Sequence, residues 1–218
     1  GGTVRVAGEM RVVWLVGWLT GAPDAGRRLD VEVGECHNVL EGVIDAPVSG
    51  GQVGAEAGGL SIMVGGPDDL VAKALPYLGL AGNPAHLGPT GAGEVAKACN
   101  QRIGAANIIA NAEAAVVAER AGLDVAKLFE LMLGGYSSST IMADKAPRYI
   151  NKDYTVSGAA SFWIKDLKAY LDEAGRTGTP TVQGDRLLEA FQGVVDAGWG
   201  AEDTAIVQKY IEERDAQA

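Results

Sequence analysis

The sequence predicts an α/β segment followed by an all-α helical domain built around one long central helix. Three observations predict it: short apolar runs ending in glycine, a long alanine-rich stretch after them, and further amphipathic stretches towards the C-terminus. Strand, glycine turn and helix in succession are typical of an α/β layer, whereas helical spacing without strands is typical of a helical domain. We therefore divide the 218-residue chain into segments 1–90 and 91–218.

The α/β segment is predicted from three strand-like runs. They are RVVWLVG, GVIDAPVSGG and LSIMVGG, and each ends in glycine. The stretch PDDLVAKALPYLG follows the third run with helical spacing, and Asp68 and Asp69 lie where a helix dipole favours negative charge. The stretch GAPDAGRRLDVEVGECHNVLEG has weak periodicity and differs from the rest of the segment.

The long helix is predicted over about residues 93–121, because GEVAKACNQRIGAANIIANAEAAVVAERAG is apolar almost all round. Gly122 is suited to end it as the C′ residue. We expect about six helices in this half, counted from the periodicity. Asp124 is the predicted N-cap of the second, and Pro147 is expected to bend or break the third.

Charge and cysteine content argue against several function classes. The formal net charge of -10 and the pI near 4.7 argue against a nucleic-acid partner. Cys36 and Cys99, with only His37 and His86 beside them, form neither a disulfide framework nor a zinc spacing, so we expect no metal and a reducing, cytoplasmic location. The apolar run VVWLVGWL is too short to span a bilayer, although a signal-peptide core is an alternative reading.

A lysine stands on the predicted long helix directly after the glycine-rich start of GPTGAGEVAKACNQ. Lys97, Asn100, Gln101, Gly104 and Asn111 fall near one stripe of this helix. A polar stripe on a buried helix needs polar partners or a water-filled cleft. A lysine there can act as acid or base if burial lowers its pKa. The alternative is that Lys97 extends its ammonium group to the surface past apolar neighbours.

The glycines before Lys97 suggest that a ligand approaches the helix start. Gly91 and Gly93 leave the backbone accessible, and free N–H groups at a helix N-terminus attract anions. The segment is not a P-loop, since Glu94, Val95 and Ala96 separate Gly93 from Lys97.

Three stretches, in order, resemble the β-hydroxyacid dehydrogenase family, which contains 3-hydroxyisobutyrate dehydrogenase and is related to 6-phosphogluconate dehydrogenase. GPTGAGEVAKACNQ resembles its catalytic segment, DAPVSGGQVGAEAGGLSIMVGG its substrate-binding segment, and IKDLKAY its Lys-Asp-Leu motif. The resemblance covers about residue 43 to the C-terminus. It implies a Rossmann-type dinucleotide-binding domain, here only a partial one, followed by the helical dehydrogenase domain. The Asn100–Gln101 pair is similar to members that reduce tartronate semialdehyde (2-hydroxy-3-oxopropionate).

The resemblance also implies a role for each matching residue. These roles are substrate binding for Ser49, Gly50, Gly51, Asn100 and Gln101, general acid/base catalysis for Lys97, and cofactor binding for Lys165, Gly91 and Gly93. The cofactor would be NAD or NADP, the substrate a small carboxylate, and the assembly a homo-oligomer without a membrane partner. Plain structural alternatives are a strand-end turn at residues 49–51 and a solvated charge pair for Lys165 and Asp166.

The fingerprint that opens a Rossmann domain is missing from the N-terminal region. The nearest stretch, LVGWLTGA, has Gly17 and Gly21 but lacks the central glycine of G-x-G-x-x-G. Because the chain also begins without Met, we interpret residues 1–42 as the divergent or frame-shifted remnant of an N-terminally incomplete chain. Two functions remain open: an NAD(P)-dependent oxidoreductase for a small β-hydroxyacid and its semialdehyde, or a truncated, inactive helical module that oligomerises.

Overall fold

The computed structural model describes residues 43–214. The predictions on the RVVWLVG strand, the LVGWLTGA stretch, Cys36 and His37 lie outside the described residues. The chain divides into two compact units, one ending at Lys97 and the next beginning at Ala98. Each unit has its own hydrophobic core among the described residues.

The described part of the first unit contains a three-stranded sheet. Its elements are β1 (Val48–Ser49), α1 (Gly51–Glu56), β2 (Leu60–Gly65), α2 (Asp68–Leu78) and β3 (Gly82–Gly88). Strand β2 lies in the centre, antiparallel to β1 and parallel to β3. Apolar side chains of β2 and α2 form the core of this unit: Leu60, Ile62, Val64, Val71, Ala74 and Leu78.

The sequence predicts β2 and α2 correctly, and it predicts β1 with longer bounds. Before β1 in the chain, Asp45 forms an isolated antiparallel β-bridge with Gly65. The backbone groups of these two residues exchange hydrogen bonds of 2.9 and 2.8 Å. Strand β3 was not predicted, because GNPAHLG contains Pro84 and no β-branched residue. Proline is tolerated there because β3 lies at one edge of the described sheet.

The helical part begins with α3 (Ala92–Arg120), which is 29 residues long. It is followed by α4 (Val125–Leu133), α5 (Thr140–Asn151), α6 (Phe162–Arg176), α7 (Gly184–Asp196), a 3₁₀ turn (Thr204–Ile206) and α8 (Val207–Arg214). The predicted helical domain with one long helix is therefore confirmed.

The predicted end of α3 and start of α4 are also confirmed. Gly122 has a φ of 78°, in the left-handed region that favours glycine, and Leu123 N donates to Ala118 O at 2.9 Å. Asp124 caps α4, because its carboxylate accepts from Ala126 N at 3.0 Å and from Lys127 N at 3.1 Å.

Pro147 does not break its helix, contrary to one of the two expected outcomes. Helix α5 continues through Pro147 to Asn151, whose Nδ2 donates to Pro147 O at 2.7 Å. The ring of Tyr149 is buried and stacks on Phe129 with centroids 5.9 Å apart, and its hydroxyl donates to Ile108 O at 3.1 Å. Tertiary packing of this turn therefore compensates for the hydrogen bond that proline removes.

Candidate active site

Lys97 lies near the start of α3 and is half-buried. The first turn of this helix is held by Asp45, a residue from the strand segment before β1. Asp45 Oδ1 accepts from Gly91 N at 2.6 Å, and Oδ2 accepts from Glu94 N at 2.9 Å. A carboxylate is favoured at this position because a helix N-terminus carries partial positive charge.

Gly93 allows α3 to pack directly on the sheet. A Cβ atom at this residue would lie 2.6 Å from Asp45 Oδ2, 3.0 Å from Pro47 Cδ, and in overlap with the Met63 carbonyl oxygen. The glycine is therefore needed for close packing of helix on strand. This contact and the Asp45 cap fix where the start of α3, and with it Lys97, lies relative to the sheet.

The helix start differs from the sequence expectation that its N–H groups are open to an anionic ligand. The N–H groups of Gly91 and Glu94 bind the chain's own Asp45 carboxylate. Sequence reasoning missed Asp45, although it stands at the start of the DAPVSGG stretch. As cofactor contacts, Gly91 and Gly93 stay predictions.

The Ser49–Gly50–Gly51 segment joins β1 to α1. Gly50 and Gly51 are exposed, and their φ angles of 131° and 61° lie in the region that favours glycine. Among residues 43–214, no heavy atom outside Gly51's own chain neighbours and helix backbone lies within 4 Å of the position that a Gly51 Cβ would take. This side of Gly51 is therefore open, which leaves room for a ligand to approach.

In the second unit, four polar side chains form a continuous hydrogen-bonded chain. Asn100 Nδ2 donates to Gln101 Oε1 at 3.0 Å, and Gln101 Nε2 donates to Asp166 Oδ2 at 2.7 Å. Lys165 Nζ donates to the other oxygen of Asp166 at 2.6 Å. Helices α3 and α6 thus bring together three residues that the sequence singled out for substrate or cofactor binding, with Asp166 between them.

Lys165 and Asp166 differ in exposure. The Lys165 side chain is 56% exposed, whereas that of Asp166 is 18% exposed. Asp166 therefore binds both an exposed ammonium group and a half-buried amide, so Lys165 and Asp166 are more than the solvated charge pair considered as the alternative.

The other two members of the predicted polar stripe do not face a water-filled cleft. Gly104 is buried, and a Cβ there would lie 2.8 Å from Cη2 of Trp163 and 3.2 Å from Cδ1 of Ile141. Asn111 is only 5% exposed. The stripe therefore changes along α3 from half-buried polar residues to positions inside the packed unit.

A second polar cluster, which sequence reasoning missed, surrounds Asp203. Its side chain is fully buried and ion-pairs with Lys145 at 3.1 Å. Burial raises the pKa of Asp203, but hydrogen bonds from Ala205 N and from Ser157, with the charge of Lys145, outweigh it and lower the pKa below its ordinary value. The available signal was an Asp-Thr pair before the apolar run AIV, a pattern typical of helix N-caps.

Residues 43–214 contain no candidate metal site and no candidate membrane-spanning helix. No group of three or more His, Cys, Asp or Glu side chains in this part of the chain is placed to hold a metal ion. None of its helices combines the length and apolarity needed to cross a membrane.

Two family profiles match the chain. The profile described as the NAD-binding domain of NADP-dependent 3-hydroxyisobutyrate dehydrogenase matches residues 91–211, and that of the NAD-binding domain of 6-phosphogluconate dehydrogenase matches residues 31–100. The second match begins before residue 43. Similarity to the family therefore extends further towards the N-terminus than the sequence motifs suggested.

Individual relatives agree with these profiles. NAD-dependent L-serine dehydrogenase of Pseudomonas aeruginosa is 33% identical over 206 residues, which cover 90% of this chain and 67% of that protein. 2-Hydroxy-3-oxopropionate reductase of Escherichia coli is 38% identical over 132 residues, covering 60% of this chain and 45% of the reductase.

A solved structure, 3-hydroxyisobutyrate dehydrogenase from Salmonella typhimurium, matches with a TM-score of 0.72 and 29% identity. The match covers 78% of this chain and 60% of that one, so the chain spans only part of the length of several relatives. One profile matches more than half of the chain, and the match to L-serine dehydrogenase covers two thirds of that enzyme. The two findings agree with each other. The chain belongs to the β-hydroxyacid dehydrogenase family.

Proposed function

We propose that the protein interconverts a small β-hydroxyacid and its semialdehyde with NAD or NADP, with tartronate semialdehyde as the preferred carbonyl substrate. The observation that carries the proposal is Lys97, which stands in the segment where both family profiles overlap. The relatives named for L-serine, 2-hydroxy-3-oxopropionate and 3-hydroxyisobutyrate act on small molecules that share a carboxylate and an oxygen on a nearby carbon. The Asn100–Gln101 pair supports the choice of tartronate semialdehyde.

Ser49, Gly50 and Gly51 hold the substrate carboxylate in this proposal. The open backbone beside Gly51 supports this role, and the Ser49 hydroxyl adds a donor. A Cβ on Gly93 would lie 3.0 Å from Pro47 Cδ, so α3 passes close to the strand segment two residues before Ser49, and Lys97 follows one turn after Gly93. This proximity supports a single small substrate bound by Ser49 and Lys97.

Lys97 exchanges the proton. In reduction its ammonium group donates a proton to the carbonyl oxygen, and in oxidation the neutral amine accepts the hydroxyl proton. Asn100, three residues after Lys97 on the same helix α3, is assigned to substrate binding. Gln101 acts through Asn100, because its Oε1 accepts from Asn100 Nδ2 while its own Nε2 is held by Asp166.

The cofactor, when bound, supplies or accepts the hydride at the reacting carbon. Among the described residues, Lys165 fits polar groups of the cofactor, since its ammonium group is half-exposed on the first turns of α6. The starts of α2 and α3 do not fit a pyrophosphate: Asp68 and Asp69 occupy the first turn of α2, and the Asp45 carboxylate caps α3. We therefore assign only Lys165 to cofactor binding with support from geometry.

A steady-state assay tests the proposal. NADH or NADPH oxidation is followed with tartronate semialdehyde, and NAD or NADP reduction with L-serine and with 3-hydroxyisobutyrate. The expected result is turnover with at least one cofactor and the highest kcat/KM for tartronate semialdehyde. A preference for another hydroxyacid rejects the substrate choice, and no turnover by the folded chain with any pair rejects the activity.

A second candidate, a helical module that oligomerises, is supported by the outer face of α3. Ile103 and Val117 are 58% and 67% exposed on this helix, two heptads apart, so a second copy of the chain would cover both. Sedimentation velocity of Ile103→Lys tests this, with Leu131→Lys as a control because Leu131 is 76% exposed on a different helix, α4. Dissociation only in Ile103→Lys supports the interface, whereas a monomeric wild-type chain rejects it.

A further inference from the structure

Asp203 is a buried carboxylate that does not belong to the proposed catalytic residues. Its Oδ2 accepts from Lys145 Nζ at 3.1 Å, Ser157 Oγ at 2.7 Å, Ser157 N at 3.1 Å and Gly158 N at 3.3 Å. Its Oδ1 accepts from Ala205 N at 3.0 Å. A buried charge is costly unless it is paired and hydrogen-bonded, and this one satisfies both conditions. The ion pair and the hydrogen bonds therefore stabilise this buried carboxylate within the fold.

The cluster ties the loop before α6 to the segment before α8. Backbone hydrogen bonds reinforce the carboxylate: Asp203 N donates to Tyr154 O at 3.0 Å, and Thr204 N donates to Gly158 O at 3.1 Å. Near the end of the loop, Ala160 N donates to Glu202 O at 2.9 Å. Residues 154–160 are thus held along their length, and α6 begins only two residues later.

The first turns of α6 carry Lys165 and Asp166, and Asp166 holds the amide of Gln101 at 2.7 Å. A helix moves largely as a rigid body, so a change in the loop that leads into α6 displaces these residues together. Hydrogen-bond strength falls steeply with lost alignment. The Asp166–Gln101 contact therefore depends on where the loop places the start of α6.

We propose that Asp203 is a positioning residue: by binding Ser157 and Gly158 it fixes the start of α6, and with it the hydrogen-bonded chain from Lys165 through Asp166 and Gln101 to Asn100. The catalytic meaning of this role rests on the proposed function of that chain. The structural part, a coupling from Asp203 to the Gln101 amide, is independent of it.

The test compares Asp203→Asn, Ser157→Ala and Ser157→Thr, with Glu202→Gln as control. Glu202 is an exposed carboxylate directly before Asp203 in the chain. The first readout is the Gln101 side-chain amide signal in ¹H–¹⁵N NMR, and the second is the split between kcat and KM for tartronate semialdehyde. We expect the Gln101 signal to shift in Asp203→Asn and Ser157→Ala, with a rise in KM of about three- to tenfold. Ser157→Thr keeps the hydroxyl and should leave both readouts as in the wild type, and Glu202→Gln should change neither.

A folded Ser157→Ala variant with an unchanged Gln101 signal overturns the proposal, because Asp203 would then be a purely structural residue. Ser157→Ala decides the question if Asp203→Asn fails to fold, since it removes one neutral hydroxyl and leaves the ion pair intact. Absence of turnover in the wild-type chain rejects the proposed function instead. The NMR readout still decides the coupling in that case.

Discussion

The carboxylate of Asp45 spans the first turn of α3, accepting from Gly91 N at 2.6 Å with one oxygen and from Glu94 N at 2.9 Å with the other. The two residues of the shorter contact are separated by 46 positions in the chain. A helix that starts in a glycine-rich segment lacks a local side-chain cap, and Asp45 provides one from the neighbouring strand segment. The strand segment that contains Asp45 and helix α3 are thereby held together through two backbone N–H groups.

Replacing Asp45 tests this link. We expect Asp45→Asn to lower the free energy of unfolding by about 1–3 kcal/mol, because the amide has one acceptor oxygen and places an NH₂ group against a backbone donor. Urea denaturation measures the loss. Asp69→Asn, at an exposed position in the first turn of α2, should cost less than about 1 kcal/mol. Equal losses in the two variants would contradict the capping role of Asp45.

A pair of glycine substitutions tests the packing of α3 on the sheet. Gly93→Ala should lower stability by about 1–3 kcal/mol, since its Cβ would overlap Met63 O and lie 2.6 Å from Asp45 Oδ2. Gly175→Ala, also inside a helix, meets no atom of the described part of the chain within 4 Å outside its own helix backbone and should raise stability by about 0.5–1 kcal/mol. Thermal or urea unfolding gives both values. A neutral Gly93→Ala would show that helix and strand can separate without cost.

Local signals account for the part of the fold that the sequence predicts. Helix α3, its end at Gly122 and the Asp124 cap follow from periodicity and capping chemistry within a few residues. Strand β3 could not be predicted, because GNPAHLG becomes a strand only by pairing with β2. Pro147 inside α5 is tolerated because of contacts made by distant residues.

The candidate site shows the same division. The motif containing Lys97 and the Ser49–Gly51 turn can be identified from the sequence, since the residue types and their spacing are local. Asp45 and Asp203 act through partners more than forty positions away, and nothing in a short window of sequence pairs them. The hydrogen bond from Gln101 to Asp166, 65 positions apart, likewise required the packed helices.

The buried ion pair predicts how stability depends on pH. The pKa of Asp203 is lowered in the folded chain, so its contribution is present above the ordinary value near 3.9 and is lost as pH falls through the lower folded value. The free energy of unfolding should therefore fall between about pH 5 and pH 2, and less steeply in Asp203→Asn. Unfolding curves across this range measure the slope. Identical slopes in wild type and variant would show that Asp203 has the same pKa in the folded and the unfolded chain.

A double-mutant cycle measures the Lys145–Asp203 pair at neutral pH. Asp203→Asn and Lys145→Met should each lower the free energy of unfolding by at most about 3–5 kcal/mol, because each removes the nearest opposite charge from a buried group. Each remaining group keeps a more distant partner, since Arg148 lies 3.9 Å from Asp203 and Asp144 lies 3.3 Å from Lys145. The double variant should lose less than the sum of the single losses. Additive losses would mean that the two groups, 3.1 Å apart, do not interact in the folded chain.

The proposed carboxylate site predicts a specific kinetic effect. Ser49→Ala should raise KM for tartronate semialdehyde about tenfold with a smaller change in kcat, because it removes one hydrogen bond to a charged group. Ser61 is paired with Ser49 across the sheet and is exposed, so Ser61→Ala is the matched control. Steady-state kinetics separate the two. An unchanged KM in Ser49→Ala would remove Ser49 from the substrate site.

The central claim is that Lys97 supplies the proton in an NAD(P)-dependent reduction. The most direct measurement compares wild type with Lys97→Met for NADH and NADPH binding by calorimetry and for reduction of tartronate semialdehyde. We predict saturable cofactor binding in both proteins and a loss of turnover of about 10²–10⁴-fold in Lys97→Met, the contribution usual for general acid catalysis. Equal turnover in the two proteins, or no binding of either cofactor by the folded wild-type chain, would contradict the account.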